Sequence, residues 1–280
     1  MKDGPVLITG CSTGIGRATA IHLARRGWTV YASARRLEAI ADLAGCEKLE
    51  LDVTDEASMV TAVGKIVDQH GAIGGLVNNA GYGIHGAFET TNLDEARQQF
   101  ETNFFGLARL TQLVLPSMRG TGSGRIVNIS SMGGKLTFPG GGYYHASKHA
   151  VEALSDALRF EVAPFGVRVI VIEPGAILTE FATTAIGTVE HPEDASSPYA
   201  SFNQLLGLRI QSAYEGTMAR FAASPPEAVA KVVERALASK KPRTRYLVTA
   251  GARILVNLRR ALPDRAWDAI LRSQYPQPGR

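Results

Sequence analysis

Pro5-Val6-Leu7-Ile8-Thr9-Gly10-Cys11-Ser12-Thr13-Gly14-Ile15-Gly16 sets the architecture. The apolar residues Pro5 to Thr9 read as a short buried strand, and the strand runs directly into glycines. Glycine lets the backbone turn tightly and lets a ligand approach it closely. A helix is expected from Ile15 to Arg26, with Ile15, Ala18, Ile21, His22 and Leu23 on one face and Gly27 as its C-terminal stop. The first turn of such a helix offers unpaired N–H groups and the positive end of the helix dipole, which suits a pyrophosphate. The glycine spacing, Gly10, Gly14 and Gly16, is not the GxGxxG of the common dinucleotide fingerprint.

Outward from that turn the chain alternates strands and helices. Strands are expected at Trp28–Ser33, Lys48–Leu51, Gly75–Asn78, Arg125–Ser130, Val167–Glu173 and near Tyr246–Val248. Helices are expected at Asp55–His70, Leu93–Met118, Tyr144–Pro164 and Pro226–Ser239. Near-continuous apolar strands alternating with helices imply an α/β fold: a Rossmann-type, doubly wound parallel sheet covered on both faces, with right-handed crossovers. The expected organisation is one domain, a catalytic unit over 1–250 and a helical extension over 251–280. The segment 177–225 loses periodicity and is expected to form an irregular lid.

Bulk properties narrow the function class. With 45% hydrophobic and 20% charged residues among 280, a large core can form. The two cysteines, Cys11 and Cys46, have no metal or disulfide spacing, so a reducing compartment is expected and no metal. Nothing resembles a signal peptide or a membrane span, so the expected location is cytoplasmic. The net charge of +4 forms no basic-aromatic stripe, so no nucleic-acid partner is expected. Cys11 lies at a helix N-terminus, where a thiolate is favoured, but its place inside the loop points to a structural role.

Tyr144 and Lys148 lie four residues apart on one expected helix and so share a face. An ammonium close to a phenol stabilises the phenolate and lowers its pKa from about 10. Such a phenol can exchange a proton near neutral pH.

The Thr9–Gly16 turn, Asn78-Asn79-Ala80-Gly81, Asn103, Ser131, Tyr144-His145-Ala146-Ser147-Lys148 and Pro174-Gly175 occur in order and in register. Together they resemble the motif set of the short-chain dehydrogenases/reductases, over about residues 4–180. The extended tail and the catalytic-helix sequence are similar to the steroid- and retinol-dehydrogenase-like branch. The resemblance implies an oxidoreductase that moves a hydride between a nicotinamide and an alcohol or carbonyl carbon, the cofactor supplying the hard chemistry. It implies Tyr144 as acid/base and Lys148 as its partner. Ser131 would hydrogen-bond the substrate oxygen, and Asn103 would hold a water that relays protons from Lys148. The cofactor would meet Gly10, Ser12, Thr13, Gly14, Ile15, Gly16, Asn79, Ala80, Gly81, Tyr144, Lys148, Pro174, Gly175, Ile177 and Thr179. Asp52 and Val53 would meet the adenine. A homodimer or homotetramer is expected by the same analogy.

Strand two ends without the acidic residue that bonds a ribose 2′-hydroxyl. Arg35 and Arg36 follow Ala34 instead, and a guanidinium suits a 2′-phosphate. NADP(H) is therefore expected in preference to NAD(H). Leu136, Phe138, Ile177, Phe181, Phe202, Leu205 and Leu206 are candidates for an apolar substrate pocket. In the tail, Ile254, Leu255, Leu258 and Leu262 are expected on one helical face, Pro263 breaks the helix, and Trp267, Ile270 and Leu271 follow. Packing over the chain's own body or a partner is the favoured use of that stripe, and peripheral membrane contact is the alternative. Two other functional readings stay open: a 3-oxoacyl-thioester reductase and a non-catalytic NADP-binding sensor.

Overall fold

The computed structural model describes residues 4–189, 197–215, 223–275 and 277–278. Parts of the expected lid, 190–196 and 216–222, lie outside them. The strands are β1 (Val6–Ile8), β2 (Val30–Ala34), β3 (Glu47–Glu50), β4 (Gly75–Asn78), β5 (Gly124–Ile129), β6 (Val167–Pro174) and β7 (Arg245–Val248). They form one parallel sheet in the order β3-β2-β1-β4-β5-β6-β7. The winding reverses between β1 and β4, the place where sheets of this kind form a ligand crevice beyond the carboxyl ends of the strands.

The helices are α1 (Gly14–Arg25), α2 (Glu56–His70), α3 (Leu93–Phe100), α4 (Leu107–Thr121), α5 (Gly142–Val162), α6 (Phe181–Thr188), α7 (Ala200–Glu215), α8 (Pro226–Ala238), α9 (Ala250–Ala261) and α10 (Asp264–Gln274). Side chains alternate across the sheet. Val6 and Ile8 join a core with Ala20 and Leu23 of α1 and Val229 and Val233 of α8. Leu7 points the other way, into a core with Met59 and Ile66 of α2 and Leu110 and Val114 of α4. Both faces being covered, the central strands β1, β4 and β5 are buried along their whole length, and the edge strand β3 (Glu-Lys-Leu-Glu) buries only Leu49.

Four expectations are corrected. First, α1 buries Gly16, Ala18, Thr19, Ala20 and Leu23 and turns His22 outward. The small residues let the helix backbone approach the sheet, and His22 Nε2 instead meets Glu234 Oε2 of α8 at 2.8 Å. Second, the helix expected at Leu93–Met118 is broken by a π-helical turn over 101–106 that carries Asn103. A Cβ at Gly106 would overlap the Val53 carbonyl, so the turn packs backbone to backbone. Third, the lid holds two regular helices, α6 and α7. Phe202 and Leu206 pack with Ala87 and Val189, so contacts distant in sequence order these helices where no periodic stripe exists.

Fourth, the buried face of α9 is rotated from the expected stripe, keeping Leu255 and Leu262 but not Ile254 and Leu258. Ala252 and Val256 are buried, and Ile254 remains 66% and Leu258 38% exposed. Val256 and Trp267 pack on Leu136, with Leu255, Leu262, Ile270 and Leu271 around them. The tail thus covers the loop that follows β5. Among the described residues, no helix is long and apolar enough to cross a membrane, and no cluster suits a metal ion.

Candidate active site

The crevice begins at the glycine turn. Gly10 has φ +70°, and a Cβ there would stand 2.9 Å from Ala80 Cα. A Cβ at Gly16 would overlap the Gly10 carbonyl oxygen and stand 2.5 Å from Asn79 Nδ2. The first turn of α1 holds no acidic residue, and Thr13 at its N-cap makes no side-chain cap bond. That leaves a cradle of backbone donors with Ser12 and Thr13 exposed beside it, which fits a dinucleotide pyrophosphate. Cys11 is buried under the turn, its Sγ 3.3 Å from the Ile8 carbonyl. Burial pushes its thiol up to about 12, which suits packing and not thiolate chemistry.

Asn79 and Ala80 lock this turn to β4. Asn79 Nδ2 donates to the Thr9 and Gly10 carbonyls at 2.9 and 3.1 Å, and the Ala80 N–H donates to Thr9 Oγ1 at 2.9 Å. The Asn79 side chain is therefore committed to the protein. Thr179 lies against the same turn: a Cβ on Gly14 would meet its Cβ at 3.3 Å. Pro174 ends β6, and the Gly175 N–H donates to the Val248 carbonyl at 2.9 Å. The Ile177 side chain is buried in the α1 core.

Arg35 and Arg36 are exposed just past β2. The Arg35 charge reaches across to the Tyr82 phenol, where it opposes the rise caused by burial and Glu95. Arg17 is occupied elsewhere, paired with Asp42. Asp52 Oδ1 accepts from Thr54 N and Oγ1 at 2.9 and 2.7 Å, which shapes the turn after β3, and Val53 is buried beside it.

Ser131, Tyr144 and Lys148 converge at the carboxyl end of β5. Ser131 Oγ accepts from the Gly133 N–H at 3.0 Å. Tyr144 and Lys148 stand one turn apart on α5, with the Lys148 Nζ 5.9 Å from the Tyr144 ring centre. Lys148 Nζ donates to the Ile129 carbonyl at 3.0 Å. A Cβ on Gly81 would lie 2.9 Å from Asn103 Oδ1 and 3.6 Å from Lys148 Nζ, so these groups share one corner. Asn103 Nδ2 donates to the Tyr82 carbonyl at 2.8 Å and to Ser147 Oγ at 3.1 Å, and Oδ1 accepts from the Tyr82 N–H at 3.0 Å. Both side-chain polar atoms have partners, so Asn103 clamps the loop after β4 onto α5.

The electrostatics differ from the expectation in one respect. Burial raises the Tyr144 pKa above 10, and the hydrogen bond with Ser131 only opposes that rise. Burial also lowers Lys148 to about 8, with the Glu152 carboxylate opposing. In the protein alone, desolvation outweighs the help that Ser131 gives Tyr144 and that Glu152 gives Lys148.

Several residues around Tyr144 carry no sequence motif. His85 and Phe181 place their rings 5.9 and 5.4 Å from that of Tyr144, and His145 lies at 5.5 Å with Nδ1 on the Gly133 carbonyl. Burial drives both His85 and His145 down to about 4. The Tyr144 phenol also adds to the pKa rise of Tyr214 on α7, after burial. Of the expected pocket residues, Phe181 is at the site. Phe202 lines a neighbouring open cleft of about 510 Å³ with Ala87, Phe88, Gly140 and Tyr199. Leu136 and Phe138 pack under the tail, Leu206 joins the small core beside Phe202, and Leu205 is 39% exposed.

Comparison with known proteins supports the same reading. The short chain dehydrogenase family model matches residues 5–188. The uncharacterized oxidoreductase YbbO of Escherichia coli K12 is 38% identical over 269 residues, covering 95% of this chain and 93% of its own. Human 17-beta-hydroxysteroid dehydrogenase type 1 is 36% identical over 275 residues, covering 92% and 81%. A short-chain dehydrogenase structure from Streptomyces avermitilis superposes with TM-score 0.78 at 34% identity, covering 96% and 98%. Serine dehydrogenase in complex with NADP+ gives TM-score 0.74 at 26% identity, covering 87% and 94%. A short-chain dehydrogenase/reductase from Burkholderia phymatum in complex with NAD gives 0.78 at 25%, covering 98% and 96%. With its parallel sheet, glycine turn and Ser131–Tyr144–Lys148 corner, the chain belongs to the short-chain dehydrogenase family of oxidoreductases, which interconvert alcohols and carbonyls with a nicotinamide cofactor.

Proposed function

We propose that the protein is an NADP(H)-dependent reductase or dehydrogenase of a hydrophobic ketone or alcohol, with Tyr144 as acid/base. The observation that carries this reading is the convergence of Ser131, Tyr144 and Lys148 beside the glycine cradle. When bound, the nicotinamide supplies or accepts the hydride. Ser131 Oγ orients the substrate oxygen and steadies its developing charge. Tyr144 gives its proton to that oxygen in reduction and takes it back in oxidation. Lys148, buried and held by the Ile129 carbonyl, supplies the positive charge that favours the phenolate. Asn103 holds the Tyr82 loop and α5 at the spacing this requires.

Gly10, Ser12, Thr13, Gly14, Ile15 and Gly16 would hold the pyrophosphate. Asp52 and Val53 would meet the adenine, Arg35 and Arg36 the 2′-phosphate, and Thr179 the nicotinamide end. The preference for NADP(H) rests on the two exposed guanidinium groups and on the lack of a carboxylate at Ala34. The hydrophobic substrate, steroid-like or otherwise lipid-like, is supported by the rings of Phe181 and His85 around Tyr144 and by the steroid dehydrogenase relative. Residues 1–250 would be the catalytic unit and 251–280 its extension, in a cytoplasmic homodimer or homotetramer.

The test is NADPH and NADH turnover with ketones, aldehydes, steroids and retinoids, on wild type and Tyr144→Phe. NADPH-preferring turnover that disappears in the variant is expected. Activity that survives loss of the phenol hydroxyl would refute the assignment.

A further inference from the structure

Below the proposed acid/base pair lies a buried ionic cluster that joins four segments. Glu152 sits on α5 one turn beyond Lys148, and its side chain is 5% exposed. Its Oε2 meets Lys135 Nζ at 2.7 Å and Arg245 Nε at 3.0 Å. Lys135 belongs to the short loop that carries Ser131. Arg245 begins β7 and also pairs with Asp156 Oδ1 at 2.6 Å. Glu173, at the end of β6, faces the same two cations at 3.8 and 3.4 Å. A Cβ on Gly134 would stand 3.0 Å from both Glu152 Cγ and the Lys148 carbonyl oxygen, so the Ser131 loop lies directly on this part of α5.

We propose that Glu152 is a positioning residue for the reaction: through Lys135 it holds the Ser131 loop on α5, and through its charge it keeps Lys148 an ammonium. The inference rests on the reading of Ser131, Tyr144 and Lys148 given above.

The electrostatic reasoning has a definite sign. Burial depresses Lys148 to about 8, and the Glu152 carboxylate is what opposes it. The titratable groups facing Lys148 are the Tyr144 phenol and Glu152, both on α5, while Gly81 and Asn103 opposite are neutral. Glu152 in turn faces Lys135, Arg245 and Glu173. Burial, and next to it the Glu152 charge, pushes Glu173 up to about 7. Without the Glu152 carboxylate the effect of burial on Lys148 goes unopposed, so Lys148 loses its proton at lower pH and ketone reduction fails earlier as pH rises.

The experiment is the pH profile of kcat/KM for NADPH-dependent reduction in wild type, Glu152→Gln, Glu152→Asp, Lys135→Met and Lys135→Arg. NADPH affinity is measured by fluorescence titration, and Tyr144→Phe is assayed alongside. In Glu152→Gln the basic limb should move down by about one pH unit, with Glu152→Asp restoring part of the shift. Lys135→Met should lower kcat about tenfold or more, because Ser131 loses its fixed position, and Lys135→Arg should recover it. NADPH affinity in the Glu152 and Lys135 variants, titrated near neutral pH, should stay within about twofold, since neither residue's ionic partners belong to the glycine turn. A Glu152→Gln protein with an unmoved basic limb, or a Lys135→Met protein with unchanged kcat, overturns the proposal. If Glu152→Gln does not fold, the Lys135 pair decides alone. Persisting activity in Tyr144→Phe would instead overturn the parent reading.

Discussion

Two glycine-to-alanine substitutions should act with opposite sign. At Gly16 a methyl would overlap the Gly10 carbonyl oxygen and crowd Asn79 Nδ2 at 2.5 Å and the Gly10 carbonyl carbon at 2.9 Å. Two of the three neighbours are backbone, so the strain cannot be relieved by rotating a side chain. Overpacking of this kind costs about 1–3 kcal/mol. At Gly64, in the middle of α2, a methyl would meet nothing within 4 Å, and the backbone there is helical. Alanine should then stabilise by about 0.5–1 kcal/mol, because it removes unfolded-state freedom. At about 2–4 °C per kcal/mol for a chain near this size, Gly16→Ala should lower Tm by several degrees and Gly64→Ala should raise it slightly. The first variant should also bind NADPH at least about tenfold more weakly, since displacing Gly10 moves the amides that the phosphates need. The assay is thermal melting with and without NADPH, plus a fluorescence titration. A Gly16→Ala protein with unchanged Tm and unchanged NADPH affinity would show that the turn is not a close-packed cradle.

Further expectations follow from single residues. Arg35→Ala should weaken NADPH binding far more than NADH binding, measured by the ratio of the two dissociation constants; equal losses would remove Arg35 from the 2′-phosphate. Trp267, buried with Phe138 at 6.4 Å and the Arg259 guanidinium at 5.8 Å, should cost about 3–5 kcal/mol when cut to alanine. An unchanged Tm there would mean that the tail does not pack on the Ser131 loop. His85 and His145 are buried neutral, with pKa values lowered from 6.5 to about 4. The unfolded chain therefore binds their protons first as pH falls. The stability they contribute is complete above about pH 6.5 and is lost towards pH 4. Tm measured across that window should fall less steeply in His145→Asn than in wild type.

The parts of the molecule that were legible in the sequence are those whose cause is local. Gly10 and Gly16 are demanded by contacts within a few residues and by one facing strand end, and Gly14 by its φ of +55°. Asp55, expected as the first residue of α2, caps it by accepting from the Ala57 N–H at 2.9 Å. Tyr144 and Lys148 share a face by helix geometry alone. The corner they form with Ser131 needed only the correct sheet order.

What was hidden depends on partners distant in sequence. The stripe Ile254, Leu255, Leu258 and Leu262 is a valid helical face. Yet Thr249 Oγ1 caps α9 by accepting from the Ala252 N–H at 3.1 Å, and the helix docks through Ala252 and Val256, where the loop at Leu136 leaves room. A periodicity argument ranks faces by hydrophobicity, and it cannot see that a small residue fits a close contact better. The Tyr144 pKa fails for a related reason. Spacing supplies the sign of the Lys148 effect, but burial by Phe181, His85 and His145 supplies the larger opposing one. Glu152 is the sharpest case. In the sequence it is one acid on an amphipathic helix, indistinguishable from Asp156 one turn on. Only the arrival of Lys135 from one side and Arg245 from the other makes it a buried counter-charge. A single added charge can shift a buried group by whole pH units where it barely matters in water. The residues that tune the site are thus the ones for which three-dimensional neighbours, and not motif position, decide the role.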